Sequence, residues 1–484
     1  MDFVTPGYYY WFLPIVMAVY FFILNGKRDQ RIILLVAMSY LFFWMASGWH
    51  FLLLALSTCN DWIAGRRIFN STDQTVRKRW LVGSLTINLG LLATFKYLDF
   101  IIESFNLMAL RLPSSPEIDT FGLILPVGIS FYTFQTMSYT IDIYREKNKP
   151  YERFHDFACY ASFFPQLVAG PIVRSHEFLD QIKNPKKLSI SRARLGTTLI
   201  VYGLFKKMVI ADNVALHVNS IFADGAALDN TALVWWGALC FGIQIYCDFS
   251  GYTDIALGSA HLLGVELPEN FKTPYAATSP RDFWRRWHIS LSTWLRDYLY
   301  IPLGGSRNGN RAMAVAIMVT MLLGGLWHGA SWNFVIWGFL HGLLLLANHA
   351  LSSSSTISSY FERIPKVMAV ISWISTQYFV FLTWLVFRVS DTDMLIRSMK
   401  SFVGWDSYWD LDELVSSLPY IKITTAVMVG LFAVSHFASG YVGGGKYWLA
   451  RRGPLAWGAI CGLMVFFCIV MRPSEAVDFI YFRF

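Results

Sequence analysis

The chain has 484 residues, of which 55% are hydrophobic and only 15% are charged, whereas soluble domains average about 25% charged residues. This composition excludes a disordered chain, a collagen and a disulfide scaffold, and it predicts a protein that crosses a membrane many times. The net charge of +8 indicates basic loops on a cytoplasmic face rather than nucleic-acid binding. The six cysteines lack metal-ligand spacing, so no metal site is expected.

Long apolar runs predict the membrane-spanning helices, because each crossing needs about 20 mostly apolar residues. A short hairpin is expected to turn near Gly48. The whole pattern predicts an all-α polytopic fold with eleven or twelve crossings. In chain order, the predicted spans are residues 8–24, 32–46, 49–63, 81–98, 122–143, 195–212, 231–260, 312–327, 330–350, 367–388, 424–440 and 455–471.

The loops between these spans alternate in charge. Lys and Arg are retained on the cytoplasmic side of a membrane, so the basic loops predict an orientation in which both termini lie outside. The basic loops lie near residues 27–31, 66–79, 145–149, 174–187 and 446–452, and the loops at residues 99–120, 212–230 and 389–423 lean acidic.

The apolar segment at residues 157–173 has basic loops on both sides, so a complete crossing would place one of them on the wrong face. The segment is short and contains Pro165, Gly170 and Pro171. We therefore predict a re-entrant or broken element. Irregular backbone at membrane depth is tolerated only where protein buries it or where it lines a cavity.

His328 stands between two apolar runs, in the sequence GGLWHGASWNFVIWG that starts at Gly324. Small residues there permit close helix packing, and the indoles of Trp327, Trp332 and Trp337 are able to wall a channel. Ionisable groups within membrane spans are functional candidates. The alternative is a histidine that is simply hydrogen-bonded inside a helix bundle.

His288 lies in a segment at residues 281–305 whose periodicity predicts one amphipathic helix against the cytoplasmic face. Its apolar flank contains Trp284, and its basic flank contains Arg281 and Arg285. An arginine cluster suits a phosphorylated ligand. The alternative is an interfacial anchor whose arginines only follow the charge rule.

Two carboxylates, Asp248 and Asp254, lie with Ser250 inside one apolar run. Such groups are costly in a membrane unless they are paired, hydrogen-bonded or facing water. A structural hydrogen-bond network and an ion or proton path both fit the pattern.

These motifs resemble those of the membrane-bound O-acyltransferase (MBOAT) family, in particular a bacterial branch that contains the membrane subunit of alginate O-acetylation and the D-alanyl transfer protein of teichoic acid modification. The resemblance runs from about residue 120 and includes LPVGISFYTFQTMSYTIDIYR, FFPQLVAGPI, the block from Tyr246 to Gly305, the His328 motif and the closing FIYFRF.

The resemblance implies one membrane domain, with outer helices at residues 1–120, a catalytic core at 121–350 and further outer helices at 351–484, around a central tunnel. His328 matches the family's near-invariant histidine, and His288 matches its second position. The residues expected to line the tunnel or to serve as structural polar groups are Trp327, Asp248, Ser250, Asp254, Gln135 and Asn333.

The expected reaction is acyl transfer from a cytoplasmic thioester to a hydroxyl presented from outside the bacterial inner membrane. Acetyl-CoA is the expected donor, and another acyl thioester is the alternative. His328 is the expected base, because a histidine pKa near 6.5 suits proton transfer at neutral pH, and His288 is expected to orient the thioester or assist the leaving thiolate. The residues expected to hold the donor are Arg281, Arg285, Arg286, Trp284 and Lys272.

The same branch implies a partner, a periplasmic SGNH-type acetyltransferase that modifies a polysaccharide such as alginate; acetylated cellulose and peptidoglycan remain alternatives. The tail at residues 479–484 is interpreted either as a docking element or as part of its own bundle. The competing function is a transporter or flippase for a glycan or lipid precursor, which the intramembrane aspartates permit. A purely structural subunit is the third alternative.

Overall fold

The computed structural model describes residues 1–109, 117–168, 170–184, 186–223, 225, 227–404, 412, 420–441, 444–473 and 477–482. Throughout these residues the regular structure is helical, without a β-strand, which confirms the all-α prediction. The chain forms two compact units. The first comprises Met1–Thr197 and Ile255–Pro268, and the second comprises Thr198–Asp254 and Glu269–Phe484.

Helices of the first unit follow the apolar runs of the sequence. The predicted hairpin turns at Gly48, whose φ of +60° is one that glycine adopts without steric cost. The helices are Tyr8–Ile23, Arg28–Ser47, Phe51–Asn70, Gln74–Leu92, Leu98–Ala109, Ile129–Tyr144, Phe154–Ser162, Phe164–Leu167 and Ser175–Lys183, with a 3-10 turn at Gly48–His50 and π-helical turns that include Ala93–Tyr97.

The segment predicted to be broken is indeed interrupted. Helix Phe154–Ser162 is separated by one non-helical residue, Phe163, from a four-residue helix, Phe164–Leu167. Gln135 and Gln166 both donate side-chain hydrogen bonds to the carbonyl oxygen of Tyr160, at 2.6 and 2.7 Å. These bonds satisfy a carbonyl near the helix end, which has no partner inside the helix, so the break is tolerated in a buried position.

The long helix Thr231–Leu262 belongs to the second unit as far as Asp254, and its remaining residues belong to the first. Helix Ile190–Leu204 begins in the first unit and continues into the second. The other helices of the second unit are Asp212–Ala223, Pro280–Arg286, Ile289–Leu295, Gly309–His328, Trp332–Ser352, Ser355–Arg363, Pro365–Arg388, Thr392–Val403, Tyr420–Tyr441, Gly445–Ala450 and Pro454–Val470, with π-helical turns at Phe205–Ala211 and Arg296–Tyr300 and 3-10 turns at Ala227–Asp229, Pro274–Ala276 and Ile480–Phe482.

Glycines bring helices Gly309–His328 and Trp332–Ser352 into close contact. A Cβ atom on Gly325 would lie 2.1 Å from the carbonyl oxygen of Phe334, and one on Gly338 would lie 2.3 Å from that of Met321. Small residues at such crossings allow backbones to approach in membranes. This hairpin fixes the position of His328 at the end of its first helix.

By length and composition, seven helices in the described part of the chain are able to cross a membrane. They include Arg28–Asn70, which contains two of the predicted spans, and they match eight of the twelve predicted spans. The other four fall on shorter helices or on helices interrupted by π-turns, so the number of crossings stays a prediction. Much of the predicted acidic loop, residues 405–411 and 413–419, lies outside the described residues.

Candidate active site

His328 is the last residue of helix Gly309–His328, and it is 2% exposed. Its imidazole lies 5.0 Å from the ring of Trp337 and 5.6 Å from that of Phe387, centroid to centroid. Both rings meet it edge-on. The tight turn between the two helices therefore delivers an ionisable side chain into an aromatic enclosure.

His288 does not lie inside a helix, so the prediction of one amphipathic helix at 281–305 is wrong. Helix Pro280–Arg286 ends before it, and helix Ile289–Leu295 begins after it. His288 has φ = +43°, a left-handed conformation that costs about 1–2 kcal/mol for a residue with a Cβ atom.

Hydrogen bonds to a remote loop explain the break. The backbone N–H of Lys272 donates to the carbonyl of Arg286 at 2.9 Å, and the N–H of Ile289 donates to the carbonyl of Asn270 at 3.0 Å. The side chain of Asn270 also accepts from the Ser290 N–H at 3.2 Å. These partners satisfy the backbone on both sides of His288, which offsets the cost of leaving the helical path.

The structure brings the two predicted histidines together. Their ring centroids are 6.3 Å apart, and His288 is fully buried. The indole of Trp327 lies 5.6 Å from the ring of His288 and 5.1 Å from that of His328. Burial lowers the pKa of His288 to about 3, so this imidazole is neutral at physiological pH.

Tyr481 completes this enclosure and was not among the predicted site residues. Its ring lies 5.7 Å from the ring of His328 and 6.5 Å from that of His288, and it packs at 4.5 Å on Phe249. Residues 477–482 thus pack on their own unit, which was one of the two interpretations of the tail; residues 483–484 lie outside the described part. The aromatic closing motif was the available signal.

Arg281 borders two cavities of about 840 and 260 Å³. The smaller one is also lined by Trp284 and Arg296. Trp284 packs against Trp337, with a centroid distance of 5.7 Å, and Trp337 contacts His328. A continuous run of rings therefore connects an arginine-lined cavity with the histidine pair.

The other predicted donor-binding residues are placed differently. Arg285 and Lys272 are exposed. Arg286 is held by an ion pair with Asp282, at 2.9 Å between Nε and Oδ2, and it also approaches Thr273 Oγ1. The guanidinium of Arg286 thus contacts Asp282 and the loop that contains Thr273, whereas Arg281 lines the two cavities.

Two buried lysines, absent from the sequence predictions, neutralise the intramembrane aspartates. Lys206 pairs with Asp254 at 2.6 Å and donates to Ser250 at 2.8 Å, and Lys207 pairs with Asp248 at 2.9 Å. The structural network, one of the two interpretations of these carboxylates, is the one that the contacts support. Opposite charges in neighbouring spans were the signal that would have identified it.

Gln135 and Asn333 also have structural contacts. Gln135 belongs to the first unit, where it donates to the Tyr160 carbonyl. Asn333 donates to the Val389 carbonyl at 2.5 Å and so fixes the end of helix Pro365–Arg388 to the His328 hairpin. In the described ranges, no group of three His, Cys, Asp or Glu side chains is arranged to hold a metal ion.

The fold and the site together define a multi-pass helical membrane protein with a buried histidine pair. Comparison with known families then shows which such protein this is: residues 144–390 match the membrane-bound O-acyltransferase family. The chain belongs to that family, and it is an O-acyltransferase, as the resemblance in its motifs predicted.

Several relatives agree with this assignment. The chain is 36% identical to the probable alginate O-acetylase AlgI of Pseudomonas aeruginosa, over 89% of this chain and 80% of that protein. It is 34% identical to a peptidoglycan O-acetyltransferase of Helicobacter pylori, over 83% and 79%. It is 28% identical to a teichoic acid D-alanyltransferase of Bacillus subtilis, over 46% and 59%.

Proposed function

We propose that the protein transfers an acetyl group from cytoplasmic acetyl-CoA across the bacterial inner membrane, for O-acetylation of an extracytoplasmic polysaccharide such as alginate. The observation that carries this proposal is the His288–His328 pair, with its rings 6.3 Å apart in a buried aromatic enclosure. The relatives named as an alginate O-acetylase and a peptidoglycan O-acetyltransferase support the acetyl group and the polymer class.

In the proposed reaction, His328 accepts the proton of the acceptor hydroxyl as its oxygen attacks the thioester carbonyl carbon. The C–S bond breaks, and the thiolate of CoA leaves. General base catalysis by a positioned histidine contributes about 10²–10⁴-fold. A thioester is already activated, so the protein's task is to place the two reactants and to take the proton.

His288 orients the thioester or donates to the leaving sulfur. Since burial keeps its imidazole neutral, it retains one N–H donor and one acceptor nitrogen. Its left-handed backbone places the ring against Trp327 and opposite His328. Strained backbone persists where the surrounding structure determines it, often at active sites.

The donor's phosphates are assigned to Arg281, which borders both cavities, with Trp284 and Arg296 beside it. Arginine provides a planar group that binds phosphate oxygens in a bidentate manner. Lys272, Arg285 and Arg286 are assigned a weaker, screened attraction, because Arg286 is already paired and neither Lys272 nor Arg285 is among the residues that line these two cavities.

A periplasmic SGNH-type acetyltransferase is the proposed partner that receives the acyl group and passes it to the polysaccharide. The described segments on the predicted outer side are short helices and loops such as Thr392–Val403, which offer little surface for a long glycan. The transporter alternative loses its motivating observation, because Asp248 and Asp254 are both paired with lysines.

The test replaces His328 or His288 by alanine in the native host and measures the acetyl content of the surface polysaccharide. We expect acetylation to be lost with His328→Ala, by about 100-fold or more, at unchanged membrane levels of the protein. His217→Ala is the matched control, because His217 is also 2% exposed but is bound by the Trp236 indole, at 2.7 Å. Full acetylation by well-expressed His328→Ala would refute the assignment.

A further inference from the structure

The last described segment of the chain, residues 477–482, forms a strap whose backbone is held by two buried side chains. Lys207 Nζ donates to the carbonyl oxygen of Val477 at 3.0 Å. The backbone N–H of Ile480 donates to Asp248 Oδ2 at 2.7 Å. The strap is therefore attached by its main chain, at both ends of a four-residue stretch.

These two side chains belong to a buried ion-pair cluster. Lys207 Nζ lies 2.9 Å from Asp248 and 2.6 Å from Asp212, and the lysine side chain has no exposed surface. Burying such charges is costly unless their geometry and hydrogen bonds are well satisfied. The strap provides a carbonyl oxygen that accepts from Lys207 and an N–H that donates to Asp248. The ion-pair cluster and the strap therefore stabilise each other.

A side chain of the strap also meets the histidine pair. Tyr481 contacts the rings of His328 and His288, and Phe479 packs at 4.2 Å on the ring of Tyr252. Phe479 and Ile480 are 1% and 5% exposed. Without the strap, the enclosure around the two histidines would lose one of its walls.

We propose that Lys207 and Asp248 are positioning residues that clamp the strap over the histidine pair and so keep water away from the acyl donor. The inference rests on the proposed function, which places the thioester beside these histidines. If the strap loosens, water replaces the acceptor hydroxyl: its oxygen bonds to the thioester carbonyl carbon, the C–S bond breaks, and acetate, free CoA thiol and one proton result.

The experiment measures two products in membranes that contain the full chain and are supplied with labelled acetyl-CoA. One product is free acetate, and the other is acetyl ester on the polysaccharide. For Lys207→Met and Asp248→Asn we expect the ratio of acetate to ester to rise several-fold above that of the wild type. Lys207→Arg retains the charge, and we expect its ratio of acetate to ester to be close to that of the wild type.

Two further variants separate the clamp from general stability. Asp254 lies on the same helix as Asp248 and is about as buried, 3% against 2% exposed, but its ion pairs are with Lys206 and Lys446 and involve neither side chain that holds the strap. We expect Asp254→Asn to lower the amount of folded protein and leave the ratio unchanged. Phe479→Ala loosens the strap without changing a charge, and we expect the ratio to rise.

An unchanged ratio in Lys207→Met, Asp248→Asn and Phe479→Ala would overturn the clamp, as would an equal rise in Asp254→Asn. The proposed function has a separate outcome. If His328→Ala transfers acetyl at the wild-type rate, the site assignment fails, whatever the clamp variants do. If His328→Ala loses transfer and the clamp variants keep the wild-type ratio, only the clamp is rejected.

Discussion

At the scale of single residues, His288 combines an ionisable side chain with a backbone conformation that few residues other than glycine adopt. The sequence identified the residue, through its position between aromatic and basic groups, but not its conformation. The reason is physical, because the conformation is imposed by hydrogen bonds to Asn270 and Lys272, 16 to 18 positions away. Local periodicity carries no information about such contacts.

The strain at His288 predicts an unusual order of stability. We expect His288→Gly to be more stable than His288→Ala by up to about 1 kcal/mol, since both lack the imidazole and only alanine has a Cβ atom that opposes positive φ. Thermal unfolding in detergent measures the difference. Ala433, inside helix Tyr420–Tyr441, provides the control: there glycine is expected to be the less stable choice. If His288→Gly and His288→Ala were equally stable, the positive φ at position 288 would not be a source of strain.

At the scale of elements, hydrophobic runs predicted the helices well because their lengths are set by the membrane. The aspartates of helix Thr231–Leu262 were recognised as costly, but their partners Lys206 and Lys207 were not, since pairing between helices depends on rotation and depth. The break at Phe163 was predicted from charge parity and prolines, whereas the break at His288 was hidden by an amphipathic pattern that continues across it.

Close packing of the His328 hairpin predicts different outcomes for glycine substitutions. Gly325→Ala places a methyl group 2.1 Å from the Phe334 carbonyl oxygen, and such overpacking typically costs about 1–3 kcal/mol. Gly458→Ala, in helix Pro454–Val470, meets nothing within 4 Å, and we expect it to be neutral or to stabilise by about 0.5–1 kcal/mol. Unfolding midpoints in detergent compare the two. If Gly325→Ala unfolded at the wild-type midpoint, the two helices of the hairpin would be able to move apart without loss of stability, and the overpacking argument would be wrong.

At the scale of the whole molecule, composition and family membership agree that this is a multi-pass membrane O-acyltransferase. The sequence predicted this class because membrane insertion and the histidine motif both leave strong local signals. The sequence did not predict the enclosure around the two histidines, because Tyr481 lies about 150 to 230 positions along the chain from the rings that it contacts there, those of Phe249, His288 and His328.

Orientation across the membrane is a further whole-molecule prediction. The basic loops predict that Thr72 faces the cytoplasm and Asp119 faces the outside; both side chains are exposed. In a chain whose exposed Cys59 is replaced by serine, Thr72→Cys should resist a membrane-impermeant thiol reagent in intact cells, and Asp119→Cys should react. The reverse labelling pattern would invert the direction of the proposed acyl transfer.

The most direct test of the central claim, that the His288–His328 pair performs the acyl transfer, is the rate of labelled acetyl transfer from acetyl-CoA in liposomes that contain the full chain and its acetyl-accepting partner. We expect transfer by the wild type and by His217→Ala. In His328→Ala we expect a loss of about 100-fold or more at equal amounts of protein. Transfer by His328→Ala at the wild-type rate would contradict the claim.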